Sequence, residues 1–209
     1  MLQTIQRLFL HVGCGSNYKD QTTAGFNTPE WKELRFDIDP NNHPDILGEM
    51  TDMVTVPNGS VDAVYSSHNI EHLYPHEVPK ALAEFRRILK PDGFVIITCP
   101  DLQSVCKLVV DDKLTETAYQ SPAGTITPLD IIYGHGISLA QGNHFMAHRC
   151  GFTQTVLSSA LKSAGFVMIA SLRRGSPYYD LYALATQIPI PESDFKALVA
   201  AHFPDAENP

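Results

Sequence analysis

Apolar residues in this chain fall into short runs with two rhythms, one of period two and one of three to four. The first run, Leu8-Phe9-Leu10-His11-Val12, leads straight into Gly13-Cys14-Gly15-Ser16-Asn17, which predicts a buried strand ending in a tight turn. Leu34-Arg35-Phe36-Asp37-Ile38-Asp39-Pro40 alternates and stops at a proline, as a strand does. Asp45-Ile46-Leu47-Gly48 reads as a brief third strand, followed by a loop or short helix from Glu49 to Met53. Val61 to Ser67 and Phe94 to Cys99 are rich in β-formers and almost continuously apolar, the pattern of parallel strands covered on both faces. Between them Val78, Ala81, Leu82, Phe85, Ile88 and Leu89 recur at helical spacing, and Lys90-Pro91-Asp92-Gly93 predicts the turn that ends this helix.

Beyond Pro100, Asp101 is placed to cap a helix running to about Asp111. Residues 112–150 carry prolines, glycines and the histidines 135, 144 and 148 without steady periodicity, and predict an irregular lid. Regularity returns with Thr153 as a cap, Val156, Leu157, Ala160, Leu161 and Ala164 on one helix face, and Gly165 just past its end. Phe166–Leu172 and Tyr179–Thr186 read as strands joined by a hairpin connection, and Ser193–His202 as an amphipathic helix. This alternation predicts an α/β fold: a Rossmann-like, doubly wound, mostly parallel sheet with an antiparallel C-terminal strand, in a three-layer α/β/α sandwich.

Composition narrows the classes of function. A formal charge of -8 disfavours nucleic acid, whose binding draws on Lys and Arg, and the pairs Arg86-Arg87 and Arg173-Arg174 are too short for a footprint. Arg86-Arg87 reads as an ordinary solvated helix face. The four cysteines, at 14, 99, 106 and 150, form no CxxC pair and read as reduced thiols of a cytoplasmic protein. No signal peptide is expected from the N-terminal segment, and no apolar run approaches a membrane span.

Glycine at 13 and 15 removes the Cβ atoms that would keep a ligand from the backbone, at the strand end where open α/β sheets bind ligands. A dinucleotide fingerprint would place a third glycine where Tyr18 stands, and a P-loop lysine is absent, so neither NAD, FAD nor a nucleoside triphosphate is indicated. Asp37 and Asp39 share one side of the second strand's end. An acid about twenty residues after a glycine turn is placed to accept the cis hydroxyls of a ribose, although Asp-x-Asp-Pro also initiates turns.

Taken in order, His11-Val12-Gly13-Cys14-Gly15, Phe36-Asp37-Ile38-Asp39-Pro40, Gly59 to Leu73 with Ser66-Ser67-His68-Asn69-Ile70-Glu71-His72, and Phe85 to Gly93 resemble the class I S-adenosylmethionine-dependent methyltransferases, particularly the type 11 group. The resemblance spans roughly residues 8–100. It implies that Val12, Gly13, Cys14 and Gly15 lie under the methionyl part of S-adenosyl-L-methionine. Asp37 would take the ribose, with Ile38 beside it, Glu49 and Met50 the adenine, and Ser66 and His68 would stand near the activated methyl. Asn17 replaces the family's third glycine, and residues 18–33 contain no clear amphipathic helix. The chain then reads as one domain over 1–209. A cofactor-binding half covers 8–100 and a substrate-side insert 101–152; a closing helix and hairpin cover 153–187, and a terminal helix and tail 188–209.

An acceptor carrying a proton needs a base. Candidates are His68, His135 and His144 foremost, with Asp101 and His148 also weighed; Glu71-His72 fits a helix start. His144 and His148, four apart with Cys150 near, and His68 and His72, likewise four apart, match no standard zinc pattern, so no metal is expected. The expected activity is methyl transfer to a small-molecule or glycan-precursor acceptor held by the insert. The alternative is an inactive protein of the same fold acting as a cofactor-sensing or scaffold subunit.

Overall fold

The computed structural model describes residues 6–204. Along the chain run β1 (Arg7–Val12), β2 (Trp31–Asp37), β3 (Ile46–Leu47), β4 (Val61–Ser67), α1 (Val78–Ile88), β5 (Leu89–Pro100) and α2 (Leu102–Val110). A small hairpin of β6 (Tyr119–Ser121) and β7 (Gly124–Ile126) follows, then α3 (Pro128–Tyr133), α4 (Gly136–Ala140), α5 (Gln154–Ser163), β8 (Met168–Arg174), β9 (Asp180–Thr186) and α6 (Glu192–His202). Seven strands form one sheet in the order β3-β2-β1-β4-β5-β9-β8. The first five are mutually parallel, and β9 runs antiparallel to both β5 and β8. This is the expected Rossmann-like sheet with its antiparallel C-terminal strand. Among the described residues no helix is long and apolar enough to cross a membrane.

Strand alternation sorts the core into two layers. Leu10, Val64, Val95, Ile97 and Ala183 face α1 and α5, meeting Leu82, Phe85, Ile88, Leu157 and Leu161. Their neighbours Phe9, Ala63, Tyr65, Phe94, Ile96 and Leu184 face the other way, against Phe26, Trp31 and the Phe195, Leu198, Val199 and Phe203 side chains of the α6 region. The segment between β1 and β2 indeed forms no α-helix, only the 3-10 turn Lys19–Gln21. Its place on the sheet is taken by the fully buried Phe26 ring, stacked on Phe9 at 4.2 Å and on Phe94 at 6.0 Å. Lys19 fastens the segment by donating to the carbonyls of Thr28 and Trp31, each at 2.9 Å, while Glu33 joins its backbone N–H to buried His11.

Three local expectations change. α1 ends at Ile88, and Lys90 to Gly93 lie inside β5 as a bulge, because the register passes from Val61 opposite Leu89 to Ala63 opposite Phe94. Lys90 anchors the bulge by donating to Asp62 at 2.9 Å. Val156 is half exposed, on the outer side of α5; Leu157 and Leu161 carry the packing. Residues 112–150 are not irregular: a hairpin, two short helices and a 3-10 turn (His144–Met146) pack around Val105, Ile126 and Ile131. Elements of three to six residues are too short to print a period on the sequence.

Candidate active site

A cavity of about 480 Å³ lies beyond the carboxyl ends of β1, β2 and β4, within the roughly 300–1,000 Å³ typical of small-molecule sites. Its floor is the glycine turn. Gly13 and Gly15 have φ of +63° and +52°, left-handed values that side chains other than asparagine resist. A Cβ on Gly13 would stand 2.1 Å from Nδ2 of Asn69, so the asparagine amide packs directly on this glycine; beyond Gly15 there is open space. Asp37, at the end of β2, accepts from the Gly15 N–H at 2.7 Å through one oxygen and from the Asp39 N–H at 2.8 Å through the other. Each oxygen keeps a lone pair for a ligand hydroxyl. Asp39 lines the cavity too, but its side chain caps the following 3-10 turn by accepting from Asn41.

Arg35 holds the rim together. Buried on β2, it donates to the carbonyls of Gly15 (2.5 Å), Asn17 (3.2 Å), Asn42 (3.1 Å) and His43 (2.9 Å), joining the glycine turn to the loop after β2. Sequence reading missed it, since an arginine inside an alternating strand looks solvent-facing. The wall carrying Glu49 and Met50 is fastened to α1 by a charged clamp. Glu84 accepts the Met53 N–H at 2.7 Å, and Arg87 donates to the carbonyls of Met53 (2.8 Å) and Val56 (2.9 Å) and to Glu84 (2.7 Å). The guanidinium beside it holds the Glu84 carboxyl below its usual range. Arg87 is thus a structural tie rather than the solvated helix charge expected from sequence.

His68 follows β4 and borders two spaces. It lines the first cavity and also a second, of about 400 Å³, with Tyr119 and Gln120 from the β6–β7 hairpin and Pro177, Tyr178 and Asp180 from the β8–β9 end. Its side chain is 48% accessible although protein surrounds it, because its free surface faces these cavities. The residue sits at φ +48°, held by its N–H to the Thr98 carbonyl at 2.9 Å. Burial disfavours the charged ring, but the Glu71 carboxylate, 3.6 Å from Nδ1, outweighs it and raises the imidazole above its ordinary value. In the second cavity Asp180 is neutralised by Arg174, which donates from Nε at 2.8 Å and lies 4.0 Å over the Tyr178 ring.

Of the residues singled out in the sequence, Val12, Gly13, Gly15, Asp37, Ile38, Glu49, Met50 and His68 line the first cavity. Cys14 and Ser66 lie beneath it, buried, and burial pushes the Cys14 thiol up to about 11. His135 and His144 do not reach either cavity. His135 pairs through Nδ1 with Ser138 Oγ at 2.8 Å, and His144 is exposed, while its neighbours Asn143, Phe145 and Met146 form the cavity's far wall. Asp101 is consumed by a 2.5 Å ion pair with Arg173 and by its cap to Gln103. None of these three is therefore positioned as a base.

Comparison with known proteins agrees with this architecture. The methyltransferase domain family profile matches residues 10–97. No curated protein matches the chain by sequence. Among solved structures, a SAM-dependent methyltransferase from Methanosarcina mazei is similar with a TM-score of 0.56 at 13% identity, covering 88% of this chain and 94% of that one. One from Archaeoglobus fulgidus gives 0.52 at 14% identity, covering 86% of each chain. The Burkholderia thailandensis 1,6-didemethyltoxoflavin-N1-methyltransferase, solved with 1,6-didemethyltoxoflavin and S-adenosylhomocysteine, gives 0.53 at 15% identity, covering 86% and 70%.

Proposed function

We propose that the chain is a class I S-adenosylmethionine-dependent methyltransferase of the type 11-like group and that it methylates a small molecule seated in the second cavity. The first cavity fits the methyl donor on three observations. The space beyond Gly15 is open where a Cβ would project, Asp37 keeps acceptor capacity for ribose hydroxyls, and Asn69 Nδ2 is a buried donor with no partner among the described residues. Glu49 and Met50, at the clamped wall, would take the adenine. The chemistry this donor supplies when bound is a methyl group activated by its sulfonium charge.

The observation that carries the reading is that His68 borders both cavities. A methyl on one side and an acceptor atom on the other would meet beside its ring, and holding the two in line supplies much of the rate. With Nδ1 turned to Glu71, Nε2 is left to take the acceptor's proton, for which proton transfer contributes about 10²–10⁴-fold. Tyr119 and Tyr178 offer aromatic faces, and the paired Asp180–Arg174 leaves little net charge. These features suit a small, planar, neutral acceptor with an O–H or N–H group. Small-molecule methylation by the Burkholderia neighbour, on the same fold, supports this choice.

Calorimetric titration with S-adenosylhomocysteine tests the premise. Micromolar binding is expected, weakened at least about tenfold, or 1.4 kcal/mol, by Asp37→Ala. A folded wild-type chain that does not bind would overturn the reading.

A further inference from the structure

Behind His68 lies a cluster of which the methyl-transfer reading uses only Glu71, as the carboxylate that the His68 ring faces. Glu71, in the 3-10 turn Ile70–His72, is 1% exposed, and neither carboxylate oxygen has a hydrogen-bond partner among the described residues. A buried carboxylate without donors is strongly unfavourable unless a cation compensates it. His68 Nδ1, at 3.6 Å, is beyond hydrogen-bonding distance. Two further imidazoles face the carboxylate: His72, next in the chain, and His148, delivered by the insert. One ligand atom from each of Glu71, His72 and His148 lies within 4.8 Å of the other two.

Both rings are already oriented for coordination. His72 Nδ1 lies 3.1 Å from the Ala147 carbonyl and His148 Nδ1 lies 2.8 Å from the Ile131 carbonyl. A carbonyl only accepts, so each Nδ1 carries the proton and each Nε2 keeps its lone pair, which is how metal-binding histidines are commonly fixed. The rings stand edge to face with centroids 4.9 Å apart. Backbone bonds from Arg149 N (2.8 Å) and Cys150 N (3.2 Å) to the Glu71 carbonyl hold this end of the insert against the turn, so the cluster is set by main chain as well as side chains.

We propose that Glu71, His72 and His148 form a binding site for a divalent transition metal ion, with zinc the best match. Two imidazoles and one carboxylate are a borderline-soft donor set that suits zinc, cobalt, iron or manganese and not the all-oxygen preference of calcium or magnesium. Three protein ligands leave a coordination position open, as catalytic rather than purely structural zinc sites do. His72 also lines the first cavity, so the ion would sit in its wall. Cys150 is not a ligand in this scheme: its Sγ donates to the carbonyls of Ile70 and Glu71, and burial pushes the thiol up to about 11. The set differs from the pairings that spacing alone suggested, because His148 joins Glu71 and His72 across the fold instead of His144 along the chain. Metal binding here does not depend on methyl transfer.

The test uses the full chain, stripped with a chelator and then titrated with zinc by calorimetry and with cobalt(II) by its visible absorption. One ion per chain is expected. Affinity should fall at least about a hundredfold in His148→Ala and in His72→Ala, since losing a ligand exceeds the loss from an outer-shell partner. Saturating zinc should raise the wild-type unfolding temperature and leave that of His148→Ala unchanged. His144→Ala, altered at an exposed ring outside the cluster, should bind like wild type, and circular dichroism reports whether each variant is folded. No stoichiometric binding by the wild type, or binding indifferent to folded His148→Ala and His72→Ala, would overturn the proposal.

Discussion

His68 holds a backbone conformation, φ +48°, that few side chains adopt without compensation, and it does so beside two cavities. Strain of this kind persists where the surroundings over-determine it, which here means the Thr98 carbonyl and the turn that follows. Asparagine tolerates the same angles, so His68→Asn tests the ring without disturbing the backbone. The expected result is a fall in kcat of at least about 100-fold, with a much smaller change in affinity for S-adenosylhomocysteine. A variant with wild-type kcat would remove His68 from the proton transfer. Asn69, one residue on, acts differently: its amide fills the space over Gly13 that a Cβ would need, so the glycine and the asparagine form one packed unit.

Phe26 does for the β1–β2 segment what an amphipathic helix would otherwise do. One ring, fully buried between Phe9, Trp31, Tyr65 and Phe94, seals the sheet face beneath a chain that has no regular helix of its own. Truncating it removes both the transfer energy and the packing around it, so Phe26→Ala should lower stability by about 3–5 kcal/mol in urea denaturation. A loss under about 1 kcal/mol would mean that the segment does not depend on its ring. Elements with strong local signals were legible in the sequence. The Gly13–Gly15 turn, Asp37 at a strand end, the Asp101 and Thr153 caps and the α1 stripe each announce themselves within a few residues. What the sequence hid are meetings between distant residues. Arg35 collects four carbonyls from two loops, and His148 reaches Glu71 from 77 positions away, held by elements too short to carry a period. Spacing along the chain therefore suggested His144 as His148's partner, and the fold supplied another.

At the scale of the whole molecule, the two sheet faces are closed by different means, and one of them is sensitive to acid. α1 and α5 cover the first face with Leu82, Phe85, Ile88, Leu157 and Leu161, apolar side chains that do not titrate. The second face is closed by α6, whose last residue, His202, is buried against Phe26 at 4.4 Å and Phe94 at 5.2 Å, with Nδ1 2.6 Å from Thr23 Oγ1. Burial, aided by the charge of Arg7, lowers the ring's pKa from 6.5 to about 4. The unfolded chain therefore takes a proton near pH 6.5 that the folded chain refuses until about pH 4. The stabilisation from neutral His202 is complete above the unfolded value and is lost as pH falls through that window, by up to about 3 kcal/mol. Replacing His202 with glutamine keeps a hydrogen-bonding group beside Thr23 and removes the titration. Urea denaturation of both proteins across the window should show the wild type losing stability more steeply than His202→Gln as the pH falls, by an amount approaching that figure. Parallel pH profiles would place the acid sensitivity elsewhere and leave α6 as an ordinary apolar lid on the sheet.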